Sequence, residues 1–172
     1  MIRTGFLLLL FLFFLTIQVS FIHALPFPFD RMPFLLLMTI YFYQYLNQIH
    51  VWWWLFFYGI TLDFFSISYA PFESFSYGIL AIVMISLARH VFTNRSFYAV
   101  SATMIACLFV LTITQLLSVF ISSFFEDLSL SWSAIVGVNL YAILLGCFTL
   151  FFLFPFAKQT RFIFYWFFFR TK

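Results

Sequence analysis

The stretch Trp52–Ser68, WWWLFFYGITLDFFSIS, is a hydrophobic run with one acid, Asp63, set inside it. A carboxylate among Leu, Phe and Ile costs about 2.5–3.5 kcal/mol at the centre of a bilayer on insertion scales, so it usually persists where something polar faces it. Gly59 precedes Asp63 by one helical turn and Ser66 follows it by about one, so the three share a face with Trp52 and Phe56. The run reads as a transmembrane helix carrying a small, polar stripe with a single ionisable group. The rest of the chain is organised around that stripe.

Working outward, the 172 residues are 66% hydrophobic and 8% charged, with a mean hydropathy of +1.12. A soluble domain carries about 25% charged residues. Apolar runs recur along nearly the whole length, so the expectation is an all-α, polytopic membrane protein. The net charge of +3 does not point to nucleic acid, because the cations flank apolar runs and form no soluble patch. Cys107 and Cys147 fall inside expected spans and read as small packing residues rather than a disulfide. No CxxC or HExxH pattern gives metal chemistry a foothold, and no cofactor is expected.

Six spans are expected. Residues 5–25 supply the first, since about 20 apolar residues cross roughly 30 Å of hydrocarbon. The run is too long for a typical signal core and no small-x-small site follows it, so it reads as an uncleaved helix. Pro26 and Pro28 break it, and Asp30 and Arg31 mark a wet turn. The second span, Pro33 to about Asn47, is short; it stands upright, extends through Gln48 and His50, or enters without crossing. The third is the opening stretch, with the Trp cluster at its start suited to a headgroup belt.

After Pro71 and Glu73 comes the fourth span, Ser74–Ala88, with Ser74, Gly78, Ala81 and Ala88 as a small-residue stripe. The fifth runs from about Phe97 to Phe124 and looks over-long, hence tilted or partly outside the membrane. The sixth runs from Trp132 to Phe156, with Asn139, Ala142, Gly146 and Thr149 on one face. Residues 1–157 are thus the helical bundle. Residues 158–172 form a basic, aromatic tail whose Lys158, Arg161, Arg170 and Lys172 suit anionic headgroups. With both termini cytoplasmic, Arg3, Arg89, Arg95 and the tail cations lie inside and Arg31 alone lies outside. The acidic turns at Glu73 and Glu126/Asp127 then also lie outside.

In this topology Asp63, Gln115 and Asn139 fall at comparable outer depths, and a hydrogen-bonded cluster of the three is geometrically open. The readings are helix-packing glue, an ion or ligand site, or contact with a partner's transmembrane helix. His23, His50 and His90 sit near span ends, where interfacial hydrogen bonding is the default. No nucleophile has a base at readable spacing and no glycine-rich phosphate loop occurs, so an enzyme is not expected.

The segment Gly59-Ile-Thr-Leu-Asp63, preceded by aromatics and followed by a short loop and an apolar span ending in Ala88-Arg89, resembles the bacterial rod shape-determining protein MreD family, with its GxxxD-like signature. Asn139-Leu-Tyr-Ala, then Phe154-Pro-Phe and a basic tail, looks like that family's closing helix. The chain departs from the family at Tyr69-Ala-Pro-Phe-Glu73, where a Gly-containing turn is usual. The resemblance implies a non-enzymatic inner-membrane scaffold of the cell-elongation machinery. Such a scaffold binds the bitopic protein MreC and helps couple MreB filaments to peptidoglycan synthesis by the wall-synthesis proteins. It also implies a fold similar to the substrate-binding subunits of energy-coupling-factor transporters. Gly59, Asp63 and Asn139 match, in a helix-packing or partner-docking role. The alternative is a substrate-binding subunit of a vitamin-type transporter, supported by the helix count and the outer polar residues; the few polar groups and short loops favour the scaffold.

Overall fold

The structure, a computed structural model, describes residues 2–66, 72–92, 96–122 and 132–156. Among them every regular element is helical and six α-helices follow in order. Helix α1, Ile2–Thr16, runs on through π-helical turns to Ile22. Its end is set by Pro26 and Pro28, which cannot continue a helical ladder. Helix α2, Phe34–Ile40, starts after Pro33 and continues as a π-helix to Tyr45. The chain then reverses at Asn47, which takes a φ of 56°, a left-handed conformation that Asn tolerates better than most residues. Helices α3, Trp53–Ser66, and α4, Phe72–Ser86, form a hairpin, with α4 extended to Val91 by π-turns. Helices α5, Phe97–Ser122, and α6, Trp132–Leu153, complete the bundle.

Among the described residues four helices are long and apolar enough to cross a membrane: Thr4–Ile22, Phe72–Val91, Phe97–Ile121 and Val136–Leu153. Only 22–28% of the residues in these segments are buried within the protein. The outward remainder includes Leu9, Phe13, Phe75, Ile82, Phe109, Phe148 and Phe151, a surface far larger than the apolar patches that water tolerates on a monomer. Lipid is the solvent that fits it.

Helix α2 is built the opposite way. Leu35, Leu36, Leu37 and every residue from Thr39 to Tyr45 are buried, with α1, α3, α5 and α6 all packed against it. At about 1.5 Å per residue its α-helical part is far shorter than a bilayer's hydrocarbon. That length is no liability where neighbouring helices, rather than lipid, surround it. The second run of the sequence is therefore the centre of the bundle.

The aromatic belt expected at Trp52–Trp54 resolves differently. Trp52 is exposed, but Trp54 is 0% exposed, with ring centroids 5.4 Å from Phe42 and 5.9 Å from Phe14. Successive tryptophans turn from the surface into the core, where Phe14 of α1 meets Trp54 edge-on and Phe42, in the continuation of α2, lies tilted against it. Trp54 is a core residue.

Side-chain bonds tie the helices together at two opposite ends. At one end α1 finishes, α2 begins, α3 finishes and α4 begins. At the other, Gln44 near the end of α2 donates to the carbonyl of Phe92 after α4, and its oxygen accepts from Thr103 of α5. There too, Arg89 donates to the Tyr43 hydroxyl at 3.1 Å, and Phe154 packs on Tyr45 and Phe97. The six helices thus alternate in direction between a first and a second polar end.

Candidate functional site

The site begins with a close approach. A Cβ placed on Gly59 would lie 2.9 Å from both the Glu73 carbonyl oxygen and the Ser74 Cα, a separation that side chains do not adopt. Glycine lets the first turn of α4 rest directly on α3. One turn on, Asp63 uses that proximity. Its Oδ1 accepts the Glu73 amide at 3.0 Å and its Oδ2 the Ser74 amide at 2.8 Å, with the Ser74 hydroxyl donating as well. These are first-turn amides with no partner inside their own helix. A carboxylate there is further favoured by the positive end of the helix dipole. The glycine–acid spacing is therefore a clasp that closes the α3–α4 hairpin.

A second clasp, which the sequence reading missed, holds α2. Gln18, in the π-helical end of α1, accepts the Leu35 amide at 3.1 Å and donates to the Met32 carbonyl at 3.2 Å. Its amide nitrogen also lies 3.2 Å from His23 Nε2. A lone amide in an apolar run carries the same signal as Asp63, since either must find a partner when buried.

Glycine works again at Gly146, where an added Cβ would meet Met104 Sδ at 2.7 Å and Pro33 Cγ at 3.5 Å. It brings α6 against α5 and the start of α2. On the same two helices, Asn139 donates to Gln115 at 3.1 Å. Of the expected outer trio, the two amides bind each other, while both carboxylate oxygens of Asp63 accept from α4. The side chain of Ser66 and the tail residues Lys158, Arg161, Arg170 and Lys172 lie outside the description.

Between the clasps and the Asn139–Gln115 pair lies a cavity of about 260 Å³, open at the first polar end. Gln18, Tyr58, Tyr77, Gln115 and Asn139 line it together with His23, Asp30, Arg31 and Glu73; Leu36, Leu108 and Leu111 are among its apolar walls. Tyr58 and Tyr77 are buried and packed edge-on at 5.0 Å. Glu73, expected in a water-exposed turn, is instead half-buried on this wall, drawn in by the Gly59–Asp63 clasp. Its Oε2 is buried without a hydrogen-bond partner among the described residues, as is Asp30 Oδ1. Asp30 Oδ2 pairs with Arg31 Nε at 2.9 Å. Partial burial and the nearby Arg31 guanidinium hold the His23 pKa below its ordinary value, against the smaller opposing pull of Asp30. Among the described residues no group of three or more His, Cys, Asp or Glu could hold a metal ion.

No family model, curated protein or solved structure matches the chain. The case for function therefore rests on its own residues.

Proposed function

We propose that this chain is a multi-pass scaffold subunit of the bacterial cytoplasmic membrane, of the MreD type, with all six helices crossing and both termini cytoplasmic. In this role it docks an MreC-like single-span protein and contributes no catalysis of its own. The observation that carries the reading is the clasp: the glycine and acid of the GxxxD-like segment both engage the first turn of α4. A scaffold needs a rigid hairpin of fixed shape, and this arrangement supplies one with an apolar outer face. Orientation follows the positive-inside rule, which puts Arg89 inside and the cavity mouth, with Asp30 and Arg31, outside.

The test is purification of the tagged protein in mild detergent with mass spectrometry of what accompanies it, beside Asp63→Leu. Recovery of a single-span protein with an external domain and of wall-synthesis proteins, reduced in the variant, is the expected result. Failure to recover either from the wild type overturns the proposal.

The cavity favours a second reading, a small-molecule-binding subunit of a transporter. It offers more convergent polar groups than the sequence reading counted. Recovery of a pair of transport ATPases in the same experiment would establish this reading in place of the first.

A further inference from the structure

The cavity at the first polar end has a definite chemical demand. Glu73 and Asp30 both line it, and one oxygen of each, Glu73 Oε2 and Asp30 Oδ1, is shut away from the space with no hydrogen-bond partner among the described residues. Desolvating a carboxyl in this way is costly, so an occupant that brings a donor to this wall is favoured. Charge narrows the choice. Asp30 is neutralised by Arg31, whereas Glu73 has no ion-pair partner among the described residues. His23 tends towards its neutral form for the reasons already given. A bound cation would favour the ionised form of Glu73, leaving one carboxylate on this wall whose charge no described residue pairs.

Two tyrosine rings beside that carboxylate suit a cation, which ring faces attract. The Gln115–Asn139 pair across the cavity adds polar atoms able to fix the occupant's orientation. Among the described residues no three His, Cys, Asp or Glu side chains gather to hold a metal ion. The volume, about 260 Å³, falls just below the roughly 300–1,000 Å³ of drug-sized pockets, so the occupant is compact. We propose that this cavity is a binding site for a primary ammonium group on a small polar carrier, held by Glu73 with Tyr58 and Tyr77 and with Arg31 at the mouth. The proposal rests on the cavity alone and stands under either reading of the subunit's role.

Two sources share that chemistry: a free water-soluble amine, or the headgroup of an aminophospholipid, whose phosphate Arg31 would meet. The experiment separates them. The full chain is reconstituted in nanodiscs of phosphatidylglycerol, which bears no amine, and titrated by calorimetry with ethanolamine and with its neutral isostere ethylene glycol. In parallel, protein from bilayers containing phosphatidylethanolamine is examined by native mass spectrometry for retained lipid. Binding of ethanolamine but not the glycol assigns a soluble amine. Retention of phosphatidylethanolamine over phosphatidylglycerol, without ethanolamine binding, assigns the lipid.

In either case Glu73→Gln is expected to weaken binding by roughly thirtyfold or more, as loss of a buried charge partner does. Ala142→Leu, which fills the cavity and leaves the carboxylate in place, is expected to weaken it too. The wild-type comparison of amine with isostere stands even if neither variant folds. Equal binding of amine and glycol, no binding of either amine, or an unweakened Glu73→Gln overturns the assignment.

Discussion

Asp63 Oδ2 accepts the backbone amide of Ser74 at 2.8 Å, so the acid of one helix caps the helix that follows it. An acid inside an apolar run thereby finds donors without leaving the bundle. The backbone that supplies them would otherwise have carried orphan amides into a low-dielectric region.

The cap predicts an ordered pair of variants. Asp63→Asn keeps one acceptor oxygen and is expected to lose about 0.5–2 kcal/mol, the usual range for a weakened helix cap. Asp63→Leu strands the Glu73 and Ser74 amides and the Ser74 hydroxyl, at about 1–3 kcal/mol for each group left buried. Unfolding by SDS in mixed micelles measures both, and equal losses would refute a capping role.

The glycines form a graded series. Gly59→Ala drives a methyl into the backbone of α4 and is expected to cost about 1–3 kcal/mol as overpacking. Gly146→Ala should cost less, because its nearest atoms are the flexible end of Met104. Gly78→Ala should be close to neutral, its nearest neighbour being Phe56 Cδ2 at 3.8 Å. The same unfolding assay ranks the three, and a different order would show that α3 and α4 do not meet at Gly59.

Gln18→Leu removes the acceptor for Leu35 and the donor to Met32 together. The expected loss is about 1–3 kcal/mol for the orphaned amide. It should appear as faster backbone hydrogen exchange at the start of α2, with the α3–α4 hairpin unchanged.

His23 gives a pH signature. Its folded-state pKa is lowered from 6.5 by partial burial and by Arg31, so the unfolded chain binds its proton more readily. Stability from this group is therefore complete above about pH 6.5 and declines as pH falls through the lowered folded value. His23→Asn should flatten that decline in a pH series of unfolding curves.

Much of the architecture was legible. The helix boundaries follow from Pro26, Pro28 and Pro33 and from the long apolar runs, and Gly59 and Asp63 stood out because each breaks the pattern around it. What faces what was not legible. The tryptophans read as a belt because a sequence shows three adjacent rings and not the direction in which a helix turns each one. Gln18, Tyr58, Tyr77 and Glu73 come from three helices and line one cavity, a convergence set by how the helices pack and not by spacing in the chain. The central place of α2 was hidden for a related reason. A short apolar segment has the same composition whether lipid or protein surrounds it, and its neighbours distinguish the two: α1 and α3 close by in the chain, α5 and α6 far along it.

Those late contacts impose an order on biogenesis. Between the end of the π-turns at Tyr45 and the start of α6 at Trp132, the ribosome adds 87 residues. At about 5–20 residues per second this takes on the order of ten seconds. Throughout that interval α2 is synthesised but lacks part of the wall that encloses it. Whatever shelters Gln44 and the buried tyrosines before α5 and α6 arrive, whether lipid, the translocon or a membrane chaperone, is as much a requirement of this sequence as the folded bundle itself.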